Sequence, residues 1–287
     1  MSLFDFDAPP DRYAVMGNPV AHSMSPQIHA AFARQTGQRM VYEAIQVDVG
    51  GFPQAVGNFQ ASGGKGLNIT VPFKREAWAL AEERSARAEE AGAVNTMMFR
   101  PDGAIYGDNT DGVGLVRDLV HNHGAQIAGR RLLILGAGGA VRGVLGPLLA
   151  QRPAELVIAN RTLYKAEELA AEFAGAVPIA ACSFDDLAGQ CFDLVINGTA
   201  ASLQGAVLPL PDGILAPGAW CYDMMYGAEP TPFLRWAQQQ GAAHCLDGLG
   251  MLVEQAAESF LLWRGVRPET APVIAMLRAS LASGARG

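Results

Sequence analysis

The chain has 287 residues, half of them hydrophobic and 17% charged, and its 21 basic and 28 acidic residues leave a net charge of −7. That length suits about two domains with substantial cores, and the composition excludes disorder of the whole chain. A moderately acidic chain without a long basic run is a poor binder of nucleic acid or of an anionic membrane.

Only three of the 21 basic residues are lysines: Lys65, Lys74 and Lys165. The four cysteines, Cys182, Cys191, Cys221 and Cys245, form no C-x-x-C pair and no zinc-finger spacing. They read as buried free thiols, which fits a reducing cytoplasm. Residues 1 to about 11 carry acids where a signal peptide needs basic residues, and read as a short disordered leader. The longest uncharged run, Leu194–Pro211, holds glycines and prolines that exclude a bilayer helix.

In chain order, Tyr13–Met16 predicts a strand ending at Gly17-Asn18-Pro19. Ser25-Pro26 opens a helix as N-cap and first residue, and Gly37 stops it. Val41–Val47 alternates as a strand, and Phe52–Phe59 reads as a helix broken at Gly63-Gly64. Leu67–Ile69 is a short strand, and Arg75–Ala91, rich in Ala and Glu, predicts one long helix. Val94–Phe99 and Ala104–Tyr106 flank the turn Pro101-Asp102-Gly103 and suggest a hairpin.

The second half changes rhythm. Arg131–Leu135 is a continuous apolar strand, followed by a glycine cluster and a helix to about Gln151. Glu155–Asn160 is a strand, Leu163–Phe173 a helix, and Val177–Ala180, Phe192–Asn197, Trp220–Asp223 and Ala243–Leu246 are further strands. This alternation predicts parallel β-α-β units around a buried sheet. Gly250–Arg264 and Pro268 to about Ser283 are helical. The expected domains are 1–110 with 248–287, the C-terminal helices returning to the first domain, and 111–247.

Gly136-Ala137-Gly138-Gly139-Ala140 lies between an apolar strand and a helix. Glycines there permit a tight turn and let the backbone approach a phosphate at the helix N-terminus. The third glycine of the dinucleotide fingerprint is replaced by Val141. About 20 residues on, Asn160-Arg161-Thr162 has no carboxylate for a ribose 2′-hydroxyl, and Arg161 and Lys165 suit a 2′-phosphate. The pattern therefore points to NADP(H) rather than NAD(H).

In the first half, Ser23 and Ser25 either face an anion or serve as an ordinary helix cap. Asn68 and Thr70 share a side by the strand period, and Lys74 follows. On spacing alone Asp111 serves equally as a helix cap or as a catalytic group. His22, His29, His121, His123 and His244 form no spaced ligand set, so no metal site is expected.

Together the motifs resemble those of the shikimate dehydrogenase family over essentially the whole chain beyond the leader. They are Gly17-Asn18-Pro19-Val20-Ala21-His22-Ser23-Met24-Ser25-Pro26, Asn68-Ile69-Thr70-Val71-Pro72-Phe73-Lys74 and Gly92-Ala93-Val94-Asn95-Thr96. Asp108-Asn109-Thr110-Asp111-Gly112, the glycine cluster, Asn160-Arg161-Thr162 and Asp247-Gly248-Leu249-Gly250-Met251 through Gln255-Ala256 follow in order.

The resemblance implies an N-terminal α/β substrate domain and a Rossmann-like, doubly wound NADP-binding domain with the active site between them. The implied reaction is reversible, NADPH-dependent reduction of 3-dehydroshikimate to shikimate, on the route to aromatic amino acids. It implies that Ser23 and Ser25 hold the substrate carboxylate, while Asn68, Thr70, Asn95, Asp111 and Gln255 hold the ring hydroxyls and their surroundings. Tyr226 would lie near the substrate, and Lys74 and Asp111 would form the catalytic pair. Gly136, Ala137, Gly138, Gly139 and Ala140 would cradle the pyrophosphate. Asn160, Arg161, Thr162 and Lys165 would read the 2′-phosphate, with Met224 and Gly248 near the nicotinamide.

One departure is Thr199-Ala200-Ala201, where the family commonly has a Thr-Ser pair. The expected partners are a small-molecule substrate and NADP, with no nucleic acid and no membrane, in a cytoplasmic monomer or homodimer. A competing enzyme is an NAD-accepting quinate/shikimate dehydrogenase, disfavoured by Arg161. A folate-type reductase is disfavoured by the Ser23/Ser25 and Asn68/Thr70 set. A competitor of another class is a non-catalytic NADP-binding regulatory protein, disfavoured by the intact lysine and aspartate.

Overall fold

The computed structural model describes residues 9–201 and 205–284. The expected leader lies outside the described residues as far as residue 8, and its last part is corrected: Asp11 already belongs to a strand. The chain divides into two compact units, one running to Thr110 and adding Ala256–Val273, the other comprising Asp111–Gln255 and the residues from Ile274 on.

The first unit holds β1 (Asp11–Gly17), α1 (Ser25–Thr36), β2 (Met40–Gln46), α2 (Phe52–Ala61) and β3 (Gly64–Ile69). It continues with α3 (Lys74–Leu80), β4 (Glu83–Arg84), α4 (Ala86–Ala91), β5 (Thr96–Phe99) and β6 (Ile105–Asp108). The sheet order is β2-β1-β3-β5-β6-β4. β1 is parallel to β2 and β3, whereas β5 is antiparallel to β3 and β6, which confirms the hairpin.

Two expectations need correction here. The single helix over Arg75–Ala91 is broken by β4. Arg84 donates to the carbonyls of Trp78 and Ala81, ending α3, and Ser85 caps α4 by accepting from Ala88 N. Helix propensity in Ala and Glu is a few tenths of a kcal/mol per residue, and these local bonds outweigh it. Ser25 is also not the cap of α1: it is the first helical residue, and its N–H donates to Ser23 Oγ at 3.3 Å.

Asp108 closes the hairpin strand in a buried ion pair. Arg87 grips it with two nitrogens at 2.7 and 2.6 Å, and Ser85 Oγ and Asn109 N donate as well. Burial alone would raise this carboxyl, but the guanidinium and the two other donors outweigh it and hold it below the ordinary carboxylate range. Its stabilisation is therefore complete above the ordinary aspartate value near ~3.9 and is lost as pH falls through the lower folded value. The denaturant midpoint of the wild type should fall steeply below about pH 4. Arg87→Met should be about 2 kcal/mol less stable at neutral pH and show a flatter acid limb; an unchanged limb would remove Asp108 as its cause.

The second unit opens with α5 (Asp111–Arg117), which passes into a π-helical turn over Asp118–Asn122. Then come β7 (Arg131–Leu135), α6 (Gly139–Leu149), β8 (Glu155–Ala159), α7 (Leu163–Glu172), β9 (Ile179–Cys182) and β10 (Phe192–Asn197). β11 (Leu215–Asp223), α8 (Pro232–Gln239), β12 (His244–Asp247), α9 (Leu249–Arg264) and α10 (Ala271–Gly284) complete the fold. The sheet is wholly parallel, in the order β12-β11-β10-β7-β8-β9.

That is the doubly wound dinucleotide-binding order. Leu132, Ile134, Leu156, Ile158, Leu194 and Ile196 enter one core, and Leu133, Leu135, Val157, Ala159 and Val195 enter another on the opposite face. Burial on both faces is why these strands read as continuous apolar runs.

The compact units do not follow the expected bounds at the end of the chain. Gly248–Gln255 and the residues from Ile274 group with the second unit. Close contacts cause this: an ideal Cβ on Gly250 would lie 1.9 Å from Asp118 Oδ1, and Arg278 of α10 bonds Asp247 at 2.7 and 2.5 Å.

Candidate active site

In the first unit the strand directions bring the polar motifs to one end of the sheet. The carboxyl ends of β1, β3 and β6 and the amino end of β5 share that end. Ser23 and Ser25 leave β1, Thr70 and Lys74 leave β3, and Asn95 enters β5. Gly17 is small for a reason, since a Cβ there would lie 2.3 Å from Thr70 Cγ2. Asn18 N donates to Val71 O, and Thr70 N to Met16 O, each at 3.0 Å. Lys74 opens α3 half-buried, and its carbonyl accepts from Val94 N at 2.9 Å, beside Asn95.

Asn68 sits differently from its neighbours. It is buried, and its amide bonds to Tyr42, His29, Asn95 O, Thr96 and Ser259. Ser25 is buried and Ser23 half-buried.

In the second unit all strands are parallel, so every strand-end loop lies at one end of the sheet. The order across that end is Asn160–Thr162 after β8, the glycine cluster after β7, Gly198 after β10, Met224–Tyr226 after β11 and Gly248 after β12. From β8 to β11 is three strand spacings, or about 14 Å, the scale of an extended dinucleotide.

The residues fit that ligand. Gly136 has φ +106°, a backbone setting that favours glycine. A Cβ on Gly138 or Gly139 would meet nothing within 4 Å, so these two glycines answer no packing need within the chain. No side chain caps the start of α6, whose backbone N–H groups face outward from a positive dipole end. Ala137 is half-buried and Ala140 exposed beside them. Arg161 and Lys165 are exposed, and neither side chain has an ion pair among the described residues. Asn160 Nδ2 donates to Thr162 O at 2.8 Å, shaping that loop.

Val141 stands where the fingerprint has its third glycine, and it is fully buried. Its Cγ2 would lie 2.4 Å from a Cβ on Gly198, so the small residue is on the facing strand end instead. Thr199 closes its own turn, with its N–H and hydroxyl both donating to Asn197 Oδ1.

Met224 and Gly248 are adjacent, since a Cβ on Gly248 would lie 2.2 Å from Met224 O. Burial pushes the Tyr226 phenol up, and the Asp247 carboxylate adds to it. Asp111 is the first residue of α5 and half-buried. Gln255 lies on α9, and its Nε2 donates to Leu252 O at 2.8 Å. The two helices are packed tightly: a Cβ on Gly114 of α5 would meet Gln255 Cβ at 2.8 Å, and Arg117 pairs with buried Glu254 at 3.1 Å. Lys74 and Asp111 fall in different units.

Among the described residues there is no group of three or more His, Cys, Asp and Glu that could hold a metal ion, and no helix long and apolar enough to cross a membrane.

A family model described as the shikimate dehydrogenase substrate binding domain matches residues 15–97. Models for shikimate / quinate 5-dehydrogenase and for the shikimate 5′-dehydrogenase C-terminal domain match residues 118–205 and 248–278. A protein of Alkalilimnicola ehrlichii named shikimate dehydrogenase (NADP(+)) is 64% identical over 268 residues, covering 93% of this chain and 98% of its own. A crystal structure of an Ael1 enzyme from Pseudomonas putida is 48% identical with a TM-score of 0.88, covering 93% of this chain and 98% of its own. The shikimate 5-dehydrogenase of Thermus thermophilus, solved with NADP(H) and shikimate, is 31% identical with a TM-score of 0.84, covering 94% of this chain and all of its own, 100%. With its sheet order, its motif-bearing strand ends and these matches, the chain belongs to the shikimate dehydrogenase family.

Proposed function

We propose that this protein is an NADP-dependent shikimate dehydrogenase, an oxidoreductase that interconverts 3-dehydroshikimate and shikimate in aromatic amino acid and chorismate biosynthesis. The observation that carries the cofactor choice is the end of β8, where Arg161 and Lys165 stand exposed and no carboxylate is present. Gly136–Ala140 would hold the pyrophosphate and Met224 and Gly248 the nicotinamide end. When bound, the nicotinamide supplies or takes the hydride. Hydride arriving at a ketone leaves charge on oxygen, and Lys74 gives that oxygen its proton; in the oxidising direction it takes the proton back. Asp111 is the partner that orients the ammonium. Ser23 and Ser25 hold the carboxylate, and Thr70, Asn95, Gln255 and Tyr226 hold the ring. Residues 1–110 with 248–287 serve as the substrate domain, although Gly248–Gln255 and the residues from Ile274 group with the second unit, and the protein works in the cytoplasm as a monomer or homodimer.

Initial rates with shikimate or quinate against NADP+ or NAD+ test this reading. Shikimate with NADP+ should be the most efficient pair. Arg161→Ala should raise KM for NADP+ about tenfold or more and leave NAD+ kinetics alone, because a charge-assisted bond to phosphate is lost. Equal efficiency with NAD+ would favour the quinate/shikimate alternative. Cofactor binding without turnover on either acid would favour a regulatory protein.

A further inference from the structure

Asn95 is held by a chain of hydrogen bonds that leads back to residues no motif marks. Thr110 N and Thr96 Oγ1 each donate to Asn95 Oδ1 at 2.9 Å. Thr96 has one hydroxyl proton, and Asn95 Oδ1, an acceptor only, takes it. At the 2.7 Å contact between the Thr96 and Ser259 hydroxyls the donor is therefore Ser259. Ser259 Oγ and Thr96 Oγ1 accept from Asn68 Nδ2 at 3.0 and 3.1 Å.

The other end of the chain is equally fixed. Asn68 Nδ2 lies 3.2 Å from Asn95 O, an acceptor, which settles which end of the amide carries the hydrogens. Asn68 Oδ1 then accepts from Tyr42 OH at 2.8 Å and from His29 Nε2 at 3.2 Å. The His29 ring is fully buried and stacks on Tyr42 with centroids 4.2 Å apart. Burial pushes its pKa down to about 3, against the opposing bond to Asn68, so the ring is neutral with its proton on Nε2. An amide offers two hydrogens and two lone pairs. Those of Asn68 meet Tyr42, His29, Asn95, Thr96 and Ser259, all inside the first unit.

We propose that Tyr42 and Ser259 are positioning residues for substrate binding, acting through Asn68 and Thr96 to lock the orientation of the Asn95 amide. Asn68 belongs to this relay rather than to the set of groups that touch the ring. The inference rests on Asn95 being a substrate contact. An unrestrained amide can turn over and exchange its donor and acceptor edges; the relay, together with Thr110 N, holds the carbonyl edge inward and so removes that freedom before substrate arrives.

Ser259→Ala and Tyr42→Phe test the relay, the latter keeping the stack on His29. Each should raise KM for shikimate about three- to tenfold, the worth of one hydrogen bond, with kcat and KM for NADP+ within about twofold. The double variant Ser259→Ala/Asn95→Ala should bind shikimate no worse than Asn95→Ala alone, because both changes disable one contact. If Asn95→Ala raises KM while Ser259→Ala and Tyr42→Phe leave it unchanged, the relay is wrong and Asn95 remains a contact. If Asn95→Ala itself leaves KM unchanged, the underlying reading fails and the relay fails with it.

Discussion

Lys74→Arg is expected to lower kcat by about two to four orders of magnitude, the usual worth of a positioned acid–base group. Arginine keeps the positive charge and much of the length of the side chain, so recognition of an anionic substrate by charge alone would survive. What it loses is a proton that can leave, because a guanidinium stays protonated throughout the working pH range. Lys74 acts on the substrate oxygen and not on the cofactor phosphates, so KM for NADP+ should stay within about twofold. Lys165→Arg is the matched control: it keeps a cation at the end of β8 and should remain active. Steady-state rates of both variants, followed by nicotinamide absorbance, decide the matter. A Lys74→Arg enzyme with near-normal kcat would show that this position supplies charge and not a proton.

Gly250→Ala should destabilise the second unit by about 3 kcal/mol, in the range reserved for overpacking against a buried charge. The added methyl would lie 1.9 Å from Asp118 Oδ1 and 2.4 Å from Oδ2. That carboxylate cannot simply swing away. Tyr222 OH donates to it at 2.8 Å and Asn122 Nδ2 at 2.9 Å, and the same Asn122 amide donates to buried Glu254. Burial pushes the Asp118 carboxyl up and Glu254 adds to it, while the Asn122 and Tyr222 hydrogen bonds and His123 oppose the rise. Removing a partner would leave an uncompensated carboxylate in the core. Urea unfolding measures the loss. The double variant Gly250→Ala/Asp118→Ala makes room for the methyl and should be more stable than the sum of its single changes. Strict additivity would place the strain elsewhere.

Much of the second unit was legible because its central strands β7, β8 and β10 are buried on both faces. Leu132–Leu135 is an uninterrupted apolar run, and β7, Arg131–Leu135, adds only the arginine before it. The helix α8 was not anticipated, although Thr231-Pro232 carried the signal: Thr231 caps it by accepting from Leu234 N at 3.2 Å. The break between α3 and α4 depends on Arg84 reaching back to two carbonyls and lying 4.3 Å over the Trp78 ring, choices that Ala- and Glu-rich composition hides. At the site, the residues carried by local motifs reached common strand ends. The buried bonds of Asn68 were not readable, because its partners Tyr42, Thr96 and Ser259 are 26, 28 and 191 residues away. Period-two reasoning gives the side of a strand to which a residue points, but not whether that side is filled by another part of the chain.

The valine near the start of α6 shows how a fingerprint encodes less than the fold requires. Val141 and Gly198 touch where α6 crosses the end of β10, and the crossing has room for one bulky residue in the pair. A pattern written along a single segment records the small member only when it happens to fall there. Here the vacancy sits 57 positions downstream, which is the difference between residues 198 and 141. The constraint is best stated as a shared volume with two possible owners. A scan for dinucleotide folds would therefore gain by scoring the turn after the fourth strand together with the turn after the first.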